Sequence, residues 1–120
     1  MDRIRVLIAD DQVLVRQGLK ALLASWPNIE VVGAAANGEE AVQLVEKHYP
    51  DVALMDIQMP VMDGLEATRL IKSRWPQVRI IALTISPLYR THALSAGADA
   101  FLLKGCAASE LARAIQGMSL

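Results

Sequence analysis

Val52-Ala53-Leu54-Met55-Asp56-Ile57-Gln58-Met59-Pro60-Val61-Met62-Asp63-Gly64 runs from four apolar residues through an acid and a proline loop to a glycine that opens a helical stripe. An apolar run that does not alternate suits a strand covered on both faces, which is the condition of a parallel sheet with helices above and below it. The same unit recurs outward from this stretch. Ile4 to Ala9 precedes Asp10 and Asp11, Val31 to Ala35 precedes the turn pair Asn37-Gly38, Ile80 to Thr84 precedes Ile85 and Ser86, and Ala100 to Leu103 precedes Lys104. Between the runs lie stripes of helical period: Val15, Leu19, Leu22, Leu23 and Trp26, ended by Pro27; Ala41, Leu44, Val45 and His48; Gly64 to Trp75, stopped by Pro76; Leu88 to Ala96, stopped by Gly97; and Ser109 to Met118, with Leu111, Ile115 and Met118 on one face. The order βαβαβαβαβα predicts a doubly wound α/β sheet with right-handed crossovers and a functional crevice at the carboxyl ends of its strands.

Composition narrows the function. The 120 residues fit one domain of the usual size of about 100 to 150 residues, and 53% hydrophobic residues support a core without disulfides or structural metal. Twelve basic against thirteen acidic residues leave a net charge of -1, so no positive field exists to hold a nucleic acid backbone. The single Cys106 excludes an internal disulfide and a cysteine-type zinc site. No apolar run approaches the roughly 18 residues of a membrane span, and the charged start Asp2, Arg3, Arg5 lacks the form of a secretory signal, so a reducing, cytoplasmic setting is expected.

The polar residues that follow the strands carry the chemistry. Asp10 and Asp11 follow the first, Asp56 the third, Thr84 ends the fourth and Lys104 follows the fifth. In a parallel sheet these ends share one edge, so three carboxylates, a hydroxyl and an ammonium converge. Two carboxylates about 4 Å apart repel by about 4 kcal/mol at an effective dielectric of about 20, a cost that a divalent cation removes. Oxygen-only ligands suit magnesium, which usually accompanies phosphoryl groups. The set is suited to metal-assisted phosphoryl chemistry, with a carboxylate to attack and Lys104 and Thr84 to contact the phosphoryl oxygens.

Taken together, the acidic pair, the run Asp56 to Gly64, Thr84 and Lys104 resemble the receiver domain of two-component response regulators, in order and spacing, over essentially all of residues 1–120. The resemblance implies a flavodoxin-like (βα)5 three-layer sandwich with a five-stranded parallel sheet of order 2-1-3-4-5. It also implies that Asp56 accepts a phosphoryl group from a sensor histidine kinase or a small phosphodonor. Asp11, Asp56 and the Gln58 backbone carbonyl would hold Mg2+, with Asp10 acting through a water. Lys104 would pair with Asp56 and then with the phosphoryl group, Thr84 would move inward to bond it, and Phe101 would swing between exposed and buried rotamers. Pro60 and Gly64 would shape the adjoining loop. Such a domain is no enzyme beyond its own phosphorylation and dephosphorylation. It would itself contact neither nucleic acid nor membrane, and it would pair with a second copy through the first and fifth helices or through the fourth helix and fifth strand.

Leu14-Val15-Arg16-Gln17-Gly18-Leu19, Ala35-Ala36-Asn37-Gly38-Glu39-Glu40-Ala41 and Phe101-Leu102-Leu103-Lys104-Gly105 look most like the branch with a C-terminal LuxR-type helix-turn-helix domain. That DNA-binding output domain, regulating transcription, is expected downstream and is absent from this sequence. Two positions depart from the family: Gly105 stands where many receivers carry proline, and Ile85 is bulkier than the residue often found there.

Simpler roles exist for each residue alone. Asp10 and Asp11 suit a helix cap, Asp56 a turn, Thr84 an ordinary strand position, Lys104 a solvated loop and Phe101 the core. Their conjunction in order favours the receiver reading. A magnesium phosphohydrolase of the haloacid dehalogenase type would need Asp-x-Asp after the first strand, and a flavodoxin-like nucleotide carrier would need a Ser/Thr/Gly-rich loop there. A receiver-like module that works without phosphorylation remains the alternative.

Overall fold

The computed structural model describes residues 3–117. Its strands are β1 (Ile4–Ala9), β2 (Ile29–Ala35), β3 (Val52–Met55), β4 (Arg79–Thr84) and β5 (Ala100–Leu103). Its helices are α1 (Val13–Ala24), α2 (Gly38–His48), α3 (Gly64–Arg74), α4 (Arg90–Ser95) and α5 (Ala108–Gln116). All strand pairs are parallel and the order is β2-β1-β3-β4-β5.

The unbroken apolar runs become two cores by parity, because successive side chains of a strand point to opposite faces. Leu7, Ala53, Met55, Ile80 and Ala82 pack with Ala41 and Val45 of α2 and Ala67 and Ile71 of α3. Val6, Ile8, Val52, Leu54, Ile81 and Leu83 pack on the other face with Leu23 of α1 and Leu111 and Ile115 of α5. Trp75 anchors the first core and Trp26 the second.

Three elements differ from those read off the sequence. β2 begins at Ile29, because Ile4 pairs with Ile29 and Arg5 with Glu30, so cross-strand bonding recruits two residues the hydrophobic run omitted. α1 ends at Ala24, where Ser25 caps it and its hydroxyl donates to the Leu22 carbonyl. The stripe from Leu88 to Ala96 is a 3₁₀ turn, Pro87–Tyr89, followed by the short α4, a 3₁₀ turn being a common entry to an α-helix. Met118 lies outside the described residues. No helix among those described is long and apolar enough to cross a membrane.

Candidate functional site

The carboxyl edge is assembled by ladder bonds that run one residue beyond the strands. The Asp10 amide donates to the Ala35 carbonyl at 3.0 Å, the Asp56 amide to Ala9 at 2.9 Å and the Lys104 amide to Thr84 at 2.7 Å. Asp10, Asp56 and Thr84 are each at most 5% exposed, whereas Asp11 is exposed. Carboxylate oxygens of Asp10, Asp11 and Asp56 lie within 4.8 Å of one another.

Lys104 supplies the cation of this cluster. Its Nζ stands 2.6 Å from Asp10 Oδ2 and 3.4 Å from Asp56 Oδ2, so its nearer partner is Asp10. Asp10 Oδ1 accepts from the Gln12 amide at 2.9 Å. Gln12, not either aspartate, occupies the N-cap of α1, and no side chain caps that helix. The acids therefore lack the helix-capping role their type suggests. Arg16 donates from Nη1 to the Asp10 carbonyl at 2.6 Å, tying α1 to the acidic loop.

Electrostatics follow from burial and charge count. Burial, with the charge of Asp10, pushes the Asp56 pKa above the ordinary carboxylate value; Lys104 opposes this and Asp11 adds to it. Burial works against the Lys104 ammonium, but its hydrogen bond to Asp10 and the charges of Asp56 and Asp10 outweigh that and raise its pKa. Three carboxylates with oxygen donors only, one of them exposed, match the donor chemistry of a hard divalent cation.

The loop after Asp56 is shaped by close approach. The Gly64 amide donates to the Ile57 carbonyl at 2.8 Å, and a Cβ at Gly64 would collide with the Asp56 carbonyl. Glycine is therefore required for α3 to start against β3, and Asp63 caps that helix by accepting from the Glu66 amide at 2.9 Å. Pro60 is exposed, and the Met62 amide donates to its carbonyl at 2.7 Å around Val61, whose φ is 67°. Positive φ at a β-branched residue is strained, and the loop holds it two residues before the helix cap. On the other side, Gly105 has φ 87° within a turn closed by the Cys106 amide on the Leu103 carbonyl at 3.1 Å. That turn presents Lys104 to the acids, and needs glycine where many receivers have proline.

Gln58 and Ile85 are exposed, Ile85 at 74%, so its side chain points to solvent. Phe101 is half-buried and packs on the α2/α3 side core together with Tyr89. Cys106 is partly buried with its pKa raised by burial and by Glu110, which keeps the thiol protonated and unreactive. Two residues at the site were given no role from sequence. Arg16 lies inside the quoted motif, one helical turn from the acids, which is a usable signal. Tyr89, whose hydroxyl accepts from the Gln58 amide at 2.7 Å, has no sequence signal, because the two are 31 positions apart.

A five-stranded parallel sheet of order 2-1-3-4-5 bearing this acidic edge defines the class, and a family model described as the response regulator receiver domain matches residues 6–116. The chain belongs to that family and is a receiver domain of two-component signalling. It is 45% identical over 117 residues to the transcriptional regulatory protein DegU of Brevibacillus brevis, covering 96% of this chain and 50% of DegU. It is 41% identical over 120 residues to the response regulator protein VraR of Staphylococcus aureus, covering 97% of this chain and 56% of VraR. The chain thus spans about half the length of these curated relatives. Among solved structures, the signal receiver domain of the NarL regulator from Mycobacterium tuberculosis superposes with a TM-score of 0.91 at 34% identity, covering 98% of this chain and 96% of that one.

Proposed function

We propose that Asp56 is the phosphoryl acceptor and that the domain switches a partner surface when it is loaded. The observation that carries this reading is three carboxylates within 4.8 Å, of which Asp10 and Asp56 share the Lys104 ammonium, an edge with more negative charge than that cation balances. An Asp56 carboxylate oxygen attacks the phosphorus of a phosphohistidine on a sensor kinase. The P–N bond breaks, the imidazole leaves, and an acyl phosphate remains on Asp56. Asp11, Asp56 and the Gln58 carbonyl would hold Mg2+, with Asp10 through a water; the ion supplies charge neutralisation and alignment of the phosphoryl oxygens.

Lys104 would shift its charge from the carboxylates to the new phosphoryl oxygens, and the buried Thr84 hydroxyl would bond them. Charge-assisted hydrogen bonds are worth about 1.5 to 3 kcal/mol each, so these two together approach the roughly 5.5 kcal/mol needed to invert a 1:99 equilibrium. Phe101, on the strand that leads into Lys104, would repack with α4. DegU's name as a transcriptional regulatory protein, and the greater length of DegU and VraR, support a DNA-binding output domain downstream of residues 1–120. Homodimers would form through α1 and α5 or through α4 and β5. The chemistry is confined to the domain's own loading and unloading, without turnover of other substrates, and the setting is cytoplasmic.

Intact-mass spectrometry after incubation with acetyl phosphate and magnesium tests the acceptor. The wild type gains one phosphoryl group, while Asp56→Asn and a chelated sample gain none. An unlabelled wild type that is folded and binds magnesium would leave kinase-only transfer or a phosphorylation-independent module.

A further inference from the structure

The Pro87–Tyr89 turn follows Thr84 closely and leads directly into α4, yet its internal ties are long. The Leu88 amide reaches Ser86 Oγ at 3.2 Å and the Tyr89 amide reaches the Ser86 carbonyl at 3.5 Å. The shortest bond joining this turn to the rest of the fold is the one from Gln58 Nε2 to the Tyr89 hydroxyl, at 2.7 Å. Tyr89 is half-buried with its ring on the core, so its hydroxyl is already fixed when Gln58 reaches it. Gln58 and Tyr89 line one cleft of about 450 Å³ with Asp11, Met59 and Pro60, beside the acidic cluster.

We infer that the Gln58–Tyr89 bond is a strap across the mouth of this cleft, and that Tyr89 is a positioning residue governing access to Asp56. Closed, the strap holds the turn and the start of α4 against the β3–α3 loop and engages the Gln58 amide at the rim. Open, it frees the turn and exposes the cleft to phosphodonor and water alike. Both loading and hydrolysis at Asp56 then accelerate. The strap therefore couples the loop two residues after Asp56 to the segment just after Thr84. The inference rests on the acceptor reading for its effect on rates, but not for the strap itself.

Tyr89→Phe keeps the ring and removes only the hydroxyl, so the core stays filled. Two measurements compare it with wild type, Gln58→Leu and the double variant. Hydrogen exchange on the unphosphorylated protein reads the amides of residues 86–95, and acetyl phosphate labelling followed by decay reads access to Asp56. Each single variant should raise exchange in that segment and speed both labelling and decay about threefold to tenfold, the range of one neutral hydrogen bond. The double variant should go no further than either single one, because both remove the same bond. Unchanged exchange in Tyr89→Phe overturns the strap. Raised exchange with unchanged rates, or rate effects that multiply in the double variant, overturns the positioning role. If no protein is labelled, wild type included, the acceptor reading fails, and the exchange result still decides the strap.

Discussion

The two edges of the sheet handle charge in opposite ways. At the amino edge Arg5, Lys72 and Arg79 each have bonded partners. The Arg5 amide donates to Asp51 at 2.8 Å and its guanidinium to the carbonyls of His48 and Tyr49 that end α2. Lys72 bonds the carbonyls of Pro76 and Val78 and pairs with Asp99 at 3.0 Å, while Asp99 also accepts from the Ile80 amide at 2.8 Å. Arg79 donates to the Ala114 and Ile115 carbonyls at the end of α5. At the carboxyl edge, by contrast, three carboxylates lie within 4.8 Å of one another and the Lys104 ammonium pairs with two of them, Asp10 and Asp56. Cations that cap helix carbonyls, where the dipole welcomes them, stabilise the fold. Uncompensated anions at the other end leave it in need of a ligand, which is how a site differs from a staple.

The sharpest way to break this contrast is to remove the ammonium that pairs with the acids. Lys104→Met leaves three carboxylates facing one another and should cost about 3 kcal/mol by chemical denaturation without metal. Magnesium at about ten times its Kd should return about 1.4 kcal/mol of that through binding to the folded state alone. A variant as stable as wild type would show that the acids do not burden the fold.

A smaller loss is expected from Asp99→Ala at the amino edge. It removes the carboxylate partner of Lys72, which keeps the Pro76 and Val78 carbonyls, and leaves the Ile80 amide unpaired, so it should cost about 2 kcal/mol, without any response to magnesium. Since Asp99 is partly exposed, water makes good some of the lost pairing. Denaturation with and without magnesium checks both the size and the indifference.

Asp56→Asn should have the smallest effect and the opposite sign. Burial and Asp10 hold the Asp56 pKa above its unfolded value of 3.8, so the folded state keeps that proton to higher pH than the unfolded chain does. Its stability contribution is fully present below that unfolded value and is lost as pH rises through the raised folded one. The asparagine variant escapes this loss and should be more stable than wild type at pH 7, read as a higher Tm. The gain should shrink as pH falls toward about 4. A gain that persists at low pH would assign it to packing instead of charge.

Legibility followed the range of the forces involved. The strand runs and helix stripes could be read because apolar periodicity is local, and four of five strands were found to within one residue, with β2 two residues short. Helix starts at Asn37 and Asp63 rest on side chains that accept from the amide three residues on, again a local matter. The acids, Thr84 and Lys104 could be gathered at one edge because parallel strands leave no other arrangement. The resemblance pairs Lys104 with Asp56, and that contact is present at 3.4 Å, but Asp10 at 2.6 Å is the nearer partner, a choice that side-chain placement makes and apolar periodicity does not encode.

By itself, then, the sequence determined the alternation of elements, the two-sided burial of the strands and the collection of charge at their carboxyl ends, all consequences of period and chain order. Tertiary structure alone decided the Lys104–Asp10 pairing, the Arg16 and Tyr89 contacts and the close approach of Gly64 to Asp56. These depend on distances between residues far apart in the chain, which are fixed only when both cores have packed and the side chains have settled against them.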